Sequence, residues 1–129
     1  MVVPFILAAP YYFVEGFGVN REDILKHLEG LTEFERAVLL ATLEIPRGKV
    51  STYKRIAERI GRPRAYRAVG NALHKNPIPQ MIPCHRVVRS DGGFGGDRKG
   101  AEARMRLLME EGIEIDERGR VKLTGDILF

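Results

Sequence analysis

Residues 53–74 read YKRIAERIGRPRAYRAVGNALH, and their punctuation decides the fold. A helix is predicted from about Tyr53 to Ile60, ended by Gly61. Arg62-Pro63 predicts the opening of another that runs to about His74, because the first helical position has no use for the N–H that proline lacks. Two helices joined by a tight glycine-containing turn form a helix-turn-helix signature, a generic one on its own. On the second helix Arg64, Arg67, Asn71 and His74 share a polar face, while Ala65, Val69, Ala72 and Leu73 can pack inward. Ala68 lies beside the polar face, and Gly70 sits mid-helix at a cost of ~0.5–1 kcal/mol. A solvated basic face accounts for the arginines but not for Gly70. Small residues at that point let a backbone approach a groove closely.

Outward from this core, Lys49 to Ser51 reads as extended. Thr32-Glu33-Phe34-Glu35 is a capping-box pattern that starts another helix. Phe34, Val38 and Ala41 recur there at helical spacing, and Pro46 and Gly48 stop it. Asn20 can cap a short helix through Leu28, ending near Gly30. Residues 1–18, with Pro10 between two apolar runs, predict a small hairpin or an extended cap. On the other side, Asn76-Pro77-Ile78-Pro79 forces an extended path from Met81 into Val88. The loop from Ser90 to Gly100 holds five glycines, Ala101 to Glu111 reads as a helix, and Gly112 to Leu123 as a polar turn with a closing strand. The expected architecture is α/β, mostly helical: a winged-helix or helix-turn-helix-like domain over residues 31–129 with a short N-terminal extension over 1–30.

Composition narrows the classes. The chain has 129 residues, enough for one domain, with 44% hydrophobic and 29% charged residues and a net charge of +4. That charge permits a nucleic-acid partner without requiring one. One Cys cannot form an internal disulfide, and one Cys with three His does not supply the closely spaced ligands of a zinc site, so no metal is expected. A free thiol suits a reducing compartment. The apolar start from Met1 to Phe13 lacks a basic flank and is interrupted by Pro4 and Pro10, and no stretch approaches the ~20 apolar residues of a membrane span. A cytoplasmic protein with no membrane partner is expected.

Cys84 is the residue that invites chemistry. A lone cysteine is more often a buried structural residue than a nucleophile. Here Pro83 stiffens the approach and His85-Arg86 follow, and a nearby imidazole or cation populates the reactive thiolate. On a strand, adjacent residues point to opposite faces, so a Cys84–His85 link needs a bridging water or a tight turn.

Pro83-Cys84-His85-Arg86-Val87, preceded by Arg67-Ala68-Val69-Gly70 and Asn76-Pro77 and followed by the glycine-rich loop, resembles the O6-alkylguanine-DNA alkyltransferase family. The match takes in Gly48-Lys49-Val50-Ser51-Thr52-Tyr53, Ile56-Ala57, Leu107-Leu108 and Glu111, over roughly residues 31–112. The resemblance implies a single-turnover DNA-repair protein that needs no cofactor and takes the alkyl group of O6-alkylguanine onto Cys84. It implies His85 as the base acting through a water, Glu111 as its orienting partner, Asn76 as a hinge and Tyr53 as the proton donor to the departing guanine. Arg67 is implied as a finger that fills the place of a flipped nucleotide, with Ala68, Gly70, Arg64, Asn71, Thr52 and Ser90 on the DNA-binding side. Val87, Gly95, Gly96, Asp97 and Arg98 are implied around the alkyl pocket. The implied partner is duplex DNA, held by its minor groove, with no obligate protein partner. Taken one at a time, Tyr53 also fits a half-buried aromatic, Glu111 a solvated helix residue, and Asn76 an Asx turn before Pro77.

Two departures from the family pattern stand out. Full-length relatives usually carry an N-terminal domain of several dozen residues, and only about 30 residues precede the matching region here. Asp97-Arg98-Lys99 replace the aromatic or small polar residues common after the glycines, so they point to solvent or else narrow or re-charge the pocket. Arg104 stands where a lysine is often found. Two other readings remain. A non-catalytic alkyltransferase-like sensor would bind the lesion and recruit other repair, but such proteins typically lack the acceptor cysteine. A winged-helix transcription factor would explain the basic helix and give no reason for Cys84-His85.

Overall fold

The computed structural model describes residues 11–14 and 17–129, with side chains described from Glu22 onward. Most of the apolar start, Met1 to Pro10, lies outside the described residues. The segment expected as a hairpin or cap contains β1 (Tyr11–Val14) and β2 (Phe17–Asn20), paired antiparallel with Tyr11 opposite Asn20. Helix α1 (Arg21–His27) follows directly. Ile24 and Leu28 are fully buried in the same core as the later helices, so the segment before residue 30 contributes to the body that follows it.

Helix α2 (Glu33–Leu43) starts where its code says it should. The Thr32 hydroxyl accepts from the Glu35 N–H at 3.1 Å, and Glu35 Oε1 accepts from the Thr32 N–H at 2.9 Å, closing the capping box. Val38, Leu39, Ala41 and Leu43 face inward. Thr42, also fully buried, spends its hydroxyl on the Val38 carbonyl at 2.8 Å. Helix α3 (Tyr53–Arg59) is capped by Thr52, whose hydroxyl accepts from the Arg55 N–H at 3.1 Å. Helix α4 spans Tyr66–Leu73, shorter than predicted. Pro63 belongs to the turn before it and not to its first position: Arg62 N–H donates to the Ala57 carbonyl and Ala65 N–H to the Arg62 carbonyl, which uses residues 62–65 to reverse the chain. Arg64 therefore stands in the turn and not on the helix. Of the residues expected to face inward from α4, Val69, Ala72 and Leu73 are buried against α2 and α3, while Ala65 is the half-buried N-cap. Each fully buried aliphatic side chain in this core contributes about 1.5–3 kcal/mol.

β3 (Ser51–Thr52) pairs in parallel with β4 (Val87–Val88). Successive strand residues point to opposite sides, and β4 uses both. Val87 joins the helical core, while Val88 joins a second cluster with Val50, Phe94, Leu108, Ile113 and Val121. Helix α5 (Arg98–Glu110) closes that second cluster and begins three residues earlier than predicted, so Gly100 lies inside it. The closing strand expected before Leu123 is reduced to an isolated antiparallel bridge between Ile115 and Val121. Its chain is occupied elsewhere: the Val121 N–H donates to the Gly92 carbonyl at 2.8 Å. A Cβ on Gly92 would sit 2.0 Å from the Val121 carbonyl oxygen, and the residue has a φ of +82°, so only glycine fits there. The last residues return to the front edge, where Phe129 N–H donates to Val50 and Val50 N–H to Ile127. Arg55 Nε holds the Phe129 carbonyl at 3.1 Å, and the Arg59 guanidinium lies 4.3 Å from the Phe129 ring centroid. Among the described residues no helix is long and apolar enough to cross a membrane.

Candidate functional site

Pro83 bends the chain into the lone cysteine. Its φ of −80° and ψ of 67° are those of an inverse γ-turn, and the Cys84 N–H donates across it to the Ile82 carbonyl at 2.8 Å. Cys84–Arg86 then form one 3-10 turn, with the Arg86 N–H donating to the Pro83 carbonyl at 2.9 Å. The extended path expected through these residues is thus broken at Pro83, and strand resumes only at Val87. The turn removes the opposite-face alternation that a strand would impose on Cys84 and His85.

Asn76 braces the approach with both ends of its amide. Nδ2 donates to the Ile82 carbonyl at 2.8 Å, and Oδ1 accepts from the Ile78 N–H at 3.0 Å. The second bond is an Asx turn and the first a cross-brace to the residue before Pro83, so the two alternatives weighed for Asn76 coexist. Its backbone N–H also donates to Leu73, which links the end of α4 to the cysteine segment.

Behind Cys84, His85, Arg86 and Glu111 form a buried cluster, their side chains 3%, 8% and 3% exposed. Glu111, expected as His85's partner, is the C-cap of α5 and meets His85 Nε2 at 2.7 Å. Arg86 binds the same carboxylate with two prongs, Nε to Oε1 at 2.8 Å and Nη2 to Oε2 at 2.9 Å, while Nη1 donates to the Ile45 carbonyl at 2.8 Å. Burial pushes the Glu111 carboxyl up, but the His85 hydrogen bond and the Arg86 contacts outweigh it and hold the group at about 2, against an ordinary 4.5. An ionised carboxylate can only accept, so Nε2 carries the ring hydrogen and Nδ1 of the neutral ring is a bare lone pair. Nδ1 is buried and has no protein hydrogen-bond partner among the described residues. The sequence reading offered Arg86 only as a cation following Cys84 and gave it no partner. Nothing local marks an arginine for burial when its partners lie 25 and 41 residues away.

Cys84 is half-buried and lines a cavity of about 410 Å³ with Tyr53, Gly70, His74, Asn76, Asp97 and Arg104 among its walls. An adjoining cavity of about 590 Å³ shares Tyr53, Gly70, His74 and Gly96, and spreads across Arg67, Asn71, Ser90 and Gly95. A side chain on Gly95 would approach the Tyr53 hydroxyl to 3.3 Å, so glycine keeps that hydroxyl clear. A Cβ on Gly70 would meet the Tyr53 ring at an ordinary 3.7 Å, so protein packing does not demand glycine there. Arg104 holds the loop from α5: Nε donates to the Gly100 carbonyl at 3.2 Å and Nη2 to the Gly95 carbonyl.

Several expected residues sit elsewhere. Thr52 is buried and its hydroxyl caps α3. Val87 is in the helical core and lines neither cavity. Arg98, at 95% exposed, points to solvent and pairs with Glu102 one turn along the helix at 3.2 Å. Of the three charged loop residues, Asp97 alone borders the Cys84 cavity, and its Oδ1 accepts from the Gly100 N–H at 2.7 Å to cap α5. Arg64 and Ala68 are exposed and line neither of the two cavities. His74, placed by sequence on the polar face of the second helix, is exposed and borders both. Its place on the polar face with Arg67 and Asn71 was the available signal.

These features define a class: small helix-turn-helix proteins that set one cysteine in a cavity beside the second helix, with a carboxylate-held histidine behind it. Residues 33–113 match the family described as 6-O-methylguanine DNA methyltransferase, DNA binding domain, and the chain belongs to that family. It is 38% identical over 116 residues to a methylated-DNA--protein-cysteine methyltransferase of Methanothermobacter thermautotrophicus, covering 90% of this chain and 65% of that protein. The corresponding protein of Methanosarcina barkeri is 51% identical over 80 residues, 62% of this chain and 51% of that one. The chain therefore spans about half to two thirds of the length of these curated relatives. Among solved structures, S. pombe Atl1 in complex with damaged DNA containing O6-carboxymethylguanine is similar at a TM-score of 0.64 and 37% identity, over 75% of this chain and 94% of that one.

Proposed function

We propose that this chain repairs duplex DNA by a single transfer of an alkyl group from O6 of guanine to Cys84 Sγ. Residues 31–129 form the working unit, α4 enters the minor groove, and the protein works in the cytoplasm without a cofactor. The observation that carries this reading is the 2.7 Å contact of His85 Nε2 with the Glu111 carboxylate, which leaves Nδ1 buried and without a protein partner among the described residues. Ionised Glu111 accepts a hydrogen bond from Nε2–H, so Nδ1 of the neutral ring is the base available to accept the Cys84 proton through a water. The thiolate attacks the alkyl carbon, an S–C bond forms, and the C–O6 bond breaks with its electron pair leaving on guanine. The Tyr53 hydroxyl, which borders the same cavity as Cys84, donates a proton to the departing base. The product is a thioether, so the protein acts once. Arg67 fills the stack where the target nucleotide has swung out, and Gly70, Asn71 and Ser90 line the path from duplex to thiol.

A second reading, a lesion sensor without transfer, draws support from the likeness to Atl1 along 94% of that chain. It leaves Cys84 and the oriented histidine without a purpose. Intact-protein mass spectrometry after incubation with a duplex carrying one O6-methylguanine separates the two. Transfer predicts a gain of one methyl in place of hydrogen, abolished by Cys84→Ala. Lesion-selective binding with no gain in mass would refute transfer and leave the sensor.

A further inference from the structure

Tyr66 and Met109 are the large hydrophobic side chains that stand exposed among the described residues, Tyr66 at 46%. Tyr66 opens α4 immediately before Arg67 and lines the larger cavity. Lys54, Arg67 and Arg89 line the same cavity, Arg89 paired with Asp91 at 3.2 Å, and Asn71 stands one turn beyond Arg67 along α4. Stability does not ask for a ring here: the first turn of a helix accepts most polar residues, and the neighbouring core is filled by Val69 and Leu73. Consecutive helix positions are about 100° apart, so Tyr66 and Arg67 can address adjoining parts of one ligand. An aromatic ring within a rim of cations is the chemistry that receives nucleobases, with the cations taking phosphates and the ring taking a base face.

We propose that Tyr66 is a base-stacking residue, its ring packing on a nucleobase beside the lesion in duplex DNA while Arg67 occupies the vacated place. This rests on the DNA-binding reading above and adds a contact to it. When one nucleotide leaves a duplex, its neighbour loses a stacking partner on one face. A ring at Tyr66 restores an apolar cover to that neighbour. Because every base has a π-face, the contact holds whatever the flanking sequence.

The test uses the unreactive Cys84→Ala protein and a duplex with one O6-methylguanine, with affinity measured by anisotropy over a salt series. Tyr66→Ala should weaken binding about 5- to 100-fold, and Tyr66→Phe should stay within about two-fold of the parent, because the ring and not the hydroxyl makes the contact. The slope of log K against log salt should be the same for all three, since no phosphate contact is lost. Placing 2-aminopurine next to the lesion adds a spectroscopic readout, clean because the chain has no Trp. Its emission in the complex should rise in Tyr66→Ala and not in Tyr66→Phe. Phe binding as weakly as Ala, or a shallower salt slope for Ala, would make the residue a hydroxyl–phosphate contact and overturn the proposal. Equal affinity for all three would overturn it too. A parent protein with no affinity for the duplex would instead sink the DNA-binding reading itself, before any substitution at Tyr66.

Discussion

Replacing Glu111 with glutamine removes the charge at the centre of the buried cluster while keeping its shape. Two independent estimates give the size of the effect. Removing the charge of one partner in a buried ion pair costs about 3–5 kcal/mol, because the Arg86 charge would face a neutral amide in place of the carboxylate, away from water. Linkage gives a similar figure: a carboxyl held at about 2 in the fold and near 4.5 in the unfolded chain stabilises the fold by at most about 3 kcal/mol. We expect a loss of about 3 kcal/mol at pH 7 for Glu111→Gln, measured by urea unfolding, and a drop in Tm of about 10 °C for a domain of this size. The pH dependence carries the sharper test. The depressed carboxyl contributes stability that is complete above about pH 4.5 and fades as the pH falls towards 2. Wild type should therefore lose stability between pH 5 and pH 3 more steeply than Glu111→Gln. Parallel slopes in that interval, or a loss below about 1 kcal/mol at pH 7, would mean that Glu111 is not the ionised hub described above. The variant should also transfer more slowly, because a glutamine can present an N–H to His85 Nε2 and release the tautomer that leaves Nδ1 bare.

Three further outcomes follow from geometry. Thr32→Ala should cost about 1 kcal/mol in urea unfolding, since it strips the hydroxyl that accepts from the Glu35 N–H. Gly92→Ala should cost more than about 2 kcal/mol, because the new methyl meets the Val121 carbonyl and the backbone sits at positive φ; a neutral result in a thermal melt would contradict that packing. Asn76→Ala should raise hydrogen exchange at Ile78 and Cys84 and slow single-turnover transfer, while a rate equal to wild type would show that the brace is dispensable.

What the sequence disclosed depended on how far apart the interacting residues lie. The capping box at Thr32 is a four-residue code and was readable on its own, as was the inward face of α4. Short-range conflicts were misread. Arg62-Pro63 fits a helix start equally well by composition, yet the backbone turns there and the helix begins only at Tyr66. The proline-rich approach from Asn76 to Pro79 predicts an extended path through Cys84, and the turn at Pro83 breaks it. The family likeness supplied the His85–Glu111 pair, which no local pattern gives. The burial of Arg86 was not legible, because burial of a charge is decided by what packs from elsewhere in the chain, here Ile45 and the end of α5.

The return of the last residues to Val50 imposes an order on how this molecule is made. Lys49 donates to the Asp126 carbonyl across 77 positions, and Val50 pairs with residues synthesised just after it. A ribosome has therefore finished α2 to α5, and with them the cysteine turn, before the edge beside β3 can be covered. Without the last residues Val50 would keep its N–H and C=O unpaired at that edge, a surface that invites pairing with another chain. Arg55 and Arg59, waiting on α3 for Phe129, keep cations beside that edge until its own partner arrives.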